Sequence, residues 1–257
     1  MYSGYQIDFT DFDAKYFEIG KKLFEKDISV VKRNLDSYAL TPDALNGVAI
    51  QSSWFPQIKA DVFISHSHDD EEAAITLAGF LFDTFHIKTF IDSCVWNYSV
   101  DLLQEVDKRF CYIEDSDTYS YQQRNLTTSH IHMMLATSLM MMIDQTECLI
   151  FMNTPNSLNT NDIVNATNSP WIYSEIVMSR CMQRKPKEHH RSEMKKATRE
   201  AYENFNIAYP ISTLHLKELN EMNVREWVRR YRIDSSQHAL DVLYEIVPME
   251  DEYERIY

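Results

Sequence analysis

The chain has 257 residues, of which 44% are hydrophobic and 25% charged, as expected for a folded protein with a sizeable core. Its formal net charge of −14 disfavours contact with a phosphate backbone, so we expect no nucleic-acid partner. Only four glycines are present, and they are widely spaced. This excludes glycine-rich phosphate loops, dinucleotide fingerprints and the serine nucleophile elbow.

The N-terminus and the apolar stretches predict a protein of the cytoplasm. The opening sequence MYSGYQIDFTDFDAKY is acidic and does not resemble a secretory signal. Residues 131–143 form the most apolar stretch, and 13 residues are too few to cross a bilayer. We therefore expect no membrane association.

Residues 1–56 are predicted to form a helical extension. Phe12, Tyr16, Ile19 and Leu23 are spaced by four, three and four positions, which is typical of an amphipathic helix. A different pattern begins at residue 57 and continues to residue 257, so we place the main domain there.

Within this main domain, short apolar runs alternate with helical patterns. Strands are predicted at 61–64, 87–91, 148–152 and 207–211. Helices are predicted from Asp69 or Asp70, over 100–110, 129–143 and 170–182, and near 216–230 and 236–247. Residues 111–128 are interpreted as a polar insertion. The alternation favours an α/β fold with a parallel sheet covered by helices on both faces.

Polar clusters follow three of the predicted strands, at 65–70, 92–98 and 153–171. In parallel sheets, ligands bind beyond the carboxyl ends of the strands, so these clusters should converge. Trp171 and Glu175 are separated by four positions and therefore share a helix face. The histidines near Asp69 offer no third ligand, so no metal site is predicted.

Together these motifs resemble a TIR (Toll/interleukin-1 receptor) domain. Residues 61–66, DVFISH, are similar to its first box, and residues 90–92, FID, to its second-strand box. Residues 169–175, SPWIYSE, resemble the helix that carries the catalytic glutamate of the family. The resemblance implies a flavodoxin-like parallel sheet, although the stretch between the second and third boxes is longer than usual.

The family resemblance also implies an activity. Many bacterial and plant TIR domains cleave NAD at the nicotinamide–ribose bond, whereas many animal TIR domains are non-catalytic adaptors. Glu175 matches the catalytic glutamate and favours an enzyme in which the carboxylate stabilises an oxocarbenium-like charge. Core packing of Trp171 and a helix-entry role for His66 stay open as alternatives. The substrate-binding residues implied by the resemblance are Ser65, His66, Asp92, Trp96 and Trp171.

Among TIR proteins, the chain resembles the signal-producing subunit of the Thoeris antiphage defence system. This implies NAD as substrate with no separate cofactor, a homo-oligomer when active, and a soluble product that activates a separate effector. The product would be histidine–ADP-ribose, with free histidine as co-substrate, or a cyclic ADP-ribose isomer. Tyrosines in the 111–128 insertion favour histidine if they cover the pocket. The alternatives are a TIR adaptor module and a glycosidase similar to nucleoside deoxyribosyltransferases.

Overall fold

A computed structural model describes residues 1–28, 38–41, 44–55, 57–158, 166–167, 169–182, 184–187, 190, 209–210 and 215–248. The first elements are β1 (Ser3–Ile7), α1 (Lys15–Ile28), β2 (Ala39–Thr41), β3 (Ala44–Leu45), α2 (Gly47–Trp54), β4 (Val62–Ser65), α3 (Glu71–Phe85), β5 (Thr89–Ile91) and α4 (Ser93–Phe110). They are followed by β6 (Tyr112–Ile113), β7 (Thr118–Tyr119), α5 (Tyr121–Gln145), β8 (Cys148–Met152), β9 (Ala166–Thr167), α6 (Pro170–Cys181), β10 (Tyr209–Pro210), β11 (Lys217–Glu218), α7 (Glu221–Ile233) and α8 (Ala239–Ile246).

The core of the protein is a five-stranded sheet with the order β11-β1-β8-β4-β5. All of its strand pairs are parallel. Helices cover both faces of this sheet, which confirms the predicted α/β class and is compatible with a flavodoxin-like fold. In flavodoxin-like sheets, the second strand lies on one side of the first strand and the third strand lies on the other. If β4 is counted as the first strand, β5 and β8 occupy these two positions.

Each face of the sheet buries its own set of side chains because successive residues of a strand point to opposite sides. Val62 and Ile64 of β4 pack with α1, α3, α7 and α8. Phe63, which lies between them in the chain, packs with α2, α4, α5 and α6. The strands are apolar throughout because both faces are covered, and this explains why β4 and β8 were predictable from short apolar runs.

The prediction of a helical extension over residues 1–56 is wrong for its first segment. Ser3–Ile7 is a strand that lies between β11 and β8 in the sheet, with Tyr5 paired to Ile150. The helical part of the prediction is seen in α1 and α2. Tyr5 and Ile7 are fully buried, and aromatic and β-branched residues suit such a position. The strand is too short to produce a clear periodic pattern of its own.

Residues 111–128, the predicted polar insertion, contain the β6–β7 hairpin and the first turns of α5. A further prediction needs correction. Residues 209–210 pair antiparallel with β9, outside the main sheet, so the parallel strand predicted at 207–211 is wrong. Residues 207, 208 and 211 lie outside the described residues. The sheet takes β1 and β11 instead, because strand pairing depends on tertiary contacts that local hydrophobicity does not reveal.

Helix α5 is longer than predicted, since it begins at Tyr121. Its length and composition reach what a membrane span requires, but a core helix passes the same test. The buried residues of α5 include Ile131, Leu135, Leu139 and Ile143, which belong to the hydrophobic core against the sheet. Core packing therefore accounts for the buried apolar face of this helix.

Candidate active site

The candidate site lies where the chain changes direction across the sheet. Strand β4 is flanked by β5 on one side and by β8 on the other. The connections that leave the carboxyl ends of β4 and β8 therefore diverge, and such a switch point forms a crevice where α/β proteins bind ligands. Ser65 pairs with Phe151, so the segments after the two strands start side by side.

Glu175 reaches this crevice from α6. Pro170 occupies the first turn of that helix, and the Ser169 side chain accepts a hydrogen bond from the Ile172 backbone N–H at 3.3 Å. The predicted helix start is thereby confirmed. Glu175 is 0% exposed, and Ser65 Oγ donates a hydrogen bond to its Oε2 at 2.6 Å. The structure thus brings the end of β4 into contact with helix α6.

His66 and Asp92 form the second contact of the site. Both side chains are 0% exposed, and His66 Nδ1 lies 2.6 Å from Asp92 Oδ1. The two atoms are nevertheless not aligned for a hydrogen bond. Among the described residues, neither imidazole nitrogen of His66 and neither carboxyl oxygen of Asp92 has a hydrogen-bond partner. Buried polar atoms without a hydrogen-bond partner are rare in protein interiors, and water or a ligand often supplies the missing hydrogen bond.

Trp96 closes the site from the first turns of α4. Its ring stacks on that of His66, with centroids 5.6 Å apart and planes inclined by 15°. Its Nε1 is buried and has no hydrogen-bond partner within the described part of the chain. The structure therefore places Trp96 against His66, which itself lies beside Asp92.

Trp171 has a different neighbour. Its ring meets His132 of α5 edge to face, with centroids 5.4 Å apart. It is half-buried, whereas Glu175 on the same helix is fully buried. This placement fits the alternative of core packing, and a bracing role toward the carboxylate stays a prediction.

Burial controls the ionisation of the cluster. Desolvation raises the pKa of Glu175 well above its usual range, and the neighbouring Asp92 carboxyl raises it further. Desolvation also raises the pKa of Asp92. The same effect lowers the pKa of His66 to about 4, although nearby acids including Glu175 act in the opposite direction. The closed site therefore favours the uncharged forms of these groups.

Residues in the first turn of α3 contact both neighbouring segments. Asp70 accepts hydrogen bonds from Thr154 Oγ1 and from Asn156 Nδ2, and Glu71 accepts one from Ser93 Oγ at 3.3 Å. Sequence reasoning placed Asp70 at the start of the helix but missed these partners. Asp70 does occupy the cap position, but its side chain makes no capping hydrogen bond. The polar residues that follow β8 in the sequence could have indicated these contacts.

The site is closed to solvent, because Ser65, His66, Asp92 and Glu175 are all 0% exposed. An open groove of about 260 Å³ lies elsewhere, between α3 and α7. The groove is lined mainly by apolar side chains and contains none of the site residues. We base the assignment on the buried polar cluster, since it contains the groups able to do chemistry.

No group of three or more His, Cys, Asp or Glu side chains is arranged to hold a metal ion within the described residues. Comparisons of the chain with protein-family models, with curated proteins and with solved structures find no match. The TIR resemblance therefore depends on the three motifs, and any activity has to be argued from the geometry of the site.

Proposed function

We propose that this protein cleaves NAD at the bond between nicotinamide and ribose, with Glu175 as the catalytic carboxylate. The observation that carries the proposal is the 2.6 Å hydrogen bond from Ser65 to a fully buried Glu175 at the switch point of the sheet. Such a crevice is where α/β proteins bind ligands. A carboxylate held there is suited to stabilising positive charge on a sugar ring.

The reaction breaks the bond between the anomeric carbon and the pyridinium nitrogen. Nicotinamide leaves with the electron pair as a neutral molecule, and positive charge develops on the ribose. Glu175 must then be ionised, although burial raises its pKa in the closed site. The approach of a cationic pyridinium favours the ionised form, as does the hydrogen bond from Ser65.

The unpartnered atoms of the site complement a sugar. Hydroxyl groups both donate and accept hydrogen bonds. Among the described residues, the buried donor Trp96 Nε1 and the buried acceptor Glu175 Oε1 have no hydrogen-bond partner. The Asp92 carboxyl, 2.6 Å from His66 Nδ1, is a further polar group beside them. Ribose hydroxyls would pair with both kinds of atom. This supports a ribose-containing substrate such as NAD.

We further propose that the product is an ADP-ribose-derived messenger for a separate effector, made by a cytoplasmic protein that is a homo-oligomer when active. Histidine–ADP-ribose and a cyclic ADP-ribose isomer both stay open. Tyr112 and Tyr119 pack against each other and are 44% and 42% exposed. Free histidine is favoured as co-substrate only if these rings cover the pocket, and the packing of the two rings on each other does not support that position. Mass spectrometry of reactions with and without histidine distinguishes the products.

The test compares nicotinamide release by the wild type, Glu175→Gln and Glu72→Gln. Glutamine keeps the size of the side chain but removes the charge, so we expect Glu175→Gln to reduce the rate by about 10²–10³. Glu72 is exposed on α3, and its variant should match the wild type. Unchanged release by a folded Glu175→Gln protein contradicts the assignment. Absence of release from every variant under activating conditions favours the adaptor alternative, whereas absence at rest does not.

A glycosidase acting on neutral nucleosides is the second candidate, and the observation in its favour is Asp92. A neutral base must be protonated before it leaves, unlike nicotinamide. The raised pKa of Asp92 keeps a proton on a carboxyl located 2.6 Å from His66. Base release from deoxynucleosides but not from NAD, lost in Asp92→Asn, would select this function.

A further inference from the structure

We propose that Asp70 is a latch that holds the crevice shut, and that access to Glu175 requires its release from the segment after β8. We call this segment, Asn153–Leu158, the β8 loop. The latch deepens the proposed function, because it controls entry of the nucleotide, but the closure itself does not depend on which substrate enters.

The hydrogen bonds of Asp70 cross the switch point. Asp70 belongs to the connection after β4, whereas both of its partners belong to the β8 loop. Thr154 Oγ1 donates to Oδ2, and Asn156 Nδ2 donates to Oδ1 at 2.8 Å. Each carboxylate oxygen therefore binds the opposite side of the crevice. Since ligands of α/β proteins enter between these two connections, the bonds span the route to the site.

The β8 loop is internally fixed, so it can respond to the latch as one unit. The Thr154 hydroxyl also accepts a hydrogen bond from the Ser157 backbone N–H at 3.2 Å. Ser157 Oγ donates to the Met152 carbonyl at 2.8 Å, at the end of β8. Thr154 is thus the residue through which Asp70 is connected to the folded turn.

The side chain of Asp70 does not cap helix α3, although the residue occupies the N-cap position. An aspartate at a helix N-cap usually accepts a hydrogen bond from a backbone N–H of the first turn. Asp70 occupies the N-cap of α3 without making this bond. Both oxygens instead bind the β8 loop. The 3₁₀ turn His68–Asp70 leads directly into α3, and the Glu71 N–H donates to the His68 carbonyl, so the Asp70 side chain is not needed as a cap.

A direct test measures how readily diethyl pyrocarbonate modifies His66. His66 is 0% exposed, whereas His68 in the same peptide is exposed and serves as an internal reference. Mass spectrometry would follow both rings in the wild type, Asp70→Ala and Thr154→Val. The matched control is Asp69→Ala, because Asp69 is the exposed neighbour of the latch. Thermal melts would confirm that each variant is folded.

We expect Asp70→Ala to increase the modification rate of His66 by about 10–100-fold, the factor that corresponds to losing hydrogen bonds to a charged group. Thr154→Val should act in the same direction by a smaller factor, and His68 should be unaffected. Unchanged modification of His66 in both folded variants would overturn the latch. Nicotinamide release is measured in parallel. Faster modification of His66 without release of nicotinamide would support the latch and contradict NAD as the substrate.

Discussion

Two buried glutamates lie at opposite edges of the same sheet, and their surroundings differ. Glu147, just before β8 at the amino edge, is 4% exposed, and its Oε1 accepts a hydrogen bond from the Tyr244 hydroxyl at 3.1 Å. Its backbone carbonyl also binds the N–H groups of Tyr2 and Ser3 at the start of β1. Glu175, at the carboxyl edge, has Ser65 on one oxygen and no partner for the other within the described residues.

The difference separates an acid that supports the fold from one that is available for chemistry. At the amino edge, Glu147 and its partners connect β1, β8 and α8. At the carboxyl edge, buried atoms of His66, Asp92, Trp96 and Glu175 have no hydrogen-bond partner in the part of the chain that the structure describes, which costs stability unless a ligand supplies one. Active sites commonly carry such a cost, because charge stabilisation requires groups that are already oriented and desolvated.

Removing residues 1–10 should have the largest effect, because it deletes the strand between β8 and β11. Both neighbours would lose their pairing partner, and the amino edge would lose the contacts to Glu147. We expect an insoluble protein or one without a cooperative thermal transition, measured by circular dichroism. A truncated protein that melts as the wild type does would show that β1 is dispensable for the fold.

The carboxyl edge should lose stability as the pH rises. Folding raises the pKa of Glu175 above 4.5, so the folded state binds more protons than the unfolded state, and the free energy of unfolding falls as the pH increases above that value. Glu175→Gln removes this loss, which amounts to about 1.4 kcal/mol per pKa unit. His66 contributes with the opposite sign in both proteins, because burial lowers its pKa to about 4. In urea unfolding between pH 5 and pH 8, the free energy of unfolding of the variant relative to the wild type should therefore increase as the pH rises.

Glu72→Gln, on the exposed surface of α3, is the control for that titration and should follow the wild-type curve. Parallel curves for the wild type and Glu175→Gln would mean that burial does not perturb this carboxyl. Asp92→Asn should change the curve in the same direction as Glu175→Gln, because burial raises the pKa of Asp92 as well.

Tyr244→Phe should lower the free energy of unfolding without affecting the candidate site at the carboxyl edge of the sheet. It removes the hydroxyl that binds Glu147 but keeps the ring that packs against Tyr2. We expect a loss of about 1–3 kcal/mol in the free energy of unfolding, because a buried carboxyl loses a partner. Nicotinamide release should not change. Tyr231→Phe, whose ring contacts Phe85, is the matched control and should lie within about 0.5 kcal/mol of the wild type.

The smallest effect is expected for Trp171→Phe. The ring of Trp171 contacts His132, whereas the ring of Trp96 stacks on His66 inside the site. Nicotinamide release should therefore fall more in Trp96→Phe than in Trp171→Phe, which keeps an aromatic ring against His132. A larger loss in Trp171→Phe, with the fold intact, would restore the predicted role of Trp171 in bracing Glu175.

Local chemistry made part of this structure predictable. Strands β4 and β8 are short apolar runs buried on both faces, and Pro170 after a capping serine marks the start of α6. Because parallel strands end at one edge, the convergence of the segments after β4, β5 and β8 was predictable from their order, and the family resemblance added Glu175 to them. Helix boundaries were less accurate. Helix α4 begins at Ser93 and α5 at Tyr121, both earlier than predicted. The first turns of α5, residues 121–126, are exposed, so no buried apolar face marks them in the sequence.

The sequence by itself determined the α/β class, the two central strands and the residues that meet at the carboxyl edge, because each depends on hydrophobic patterning or capping within a few positions. Only the tertiary structure decided that Ser3–Ile7 joins the sheet and that Asp70 binds the β8 loop. It also decided that Glu175 is sealed from solvent. These features join residues distant in the chain, and their pairing is selected by the packing of the whole molecule, which no local pattern encodes.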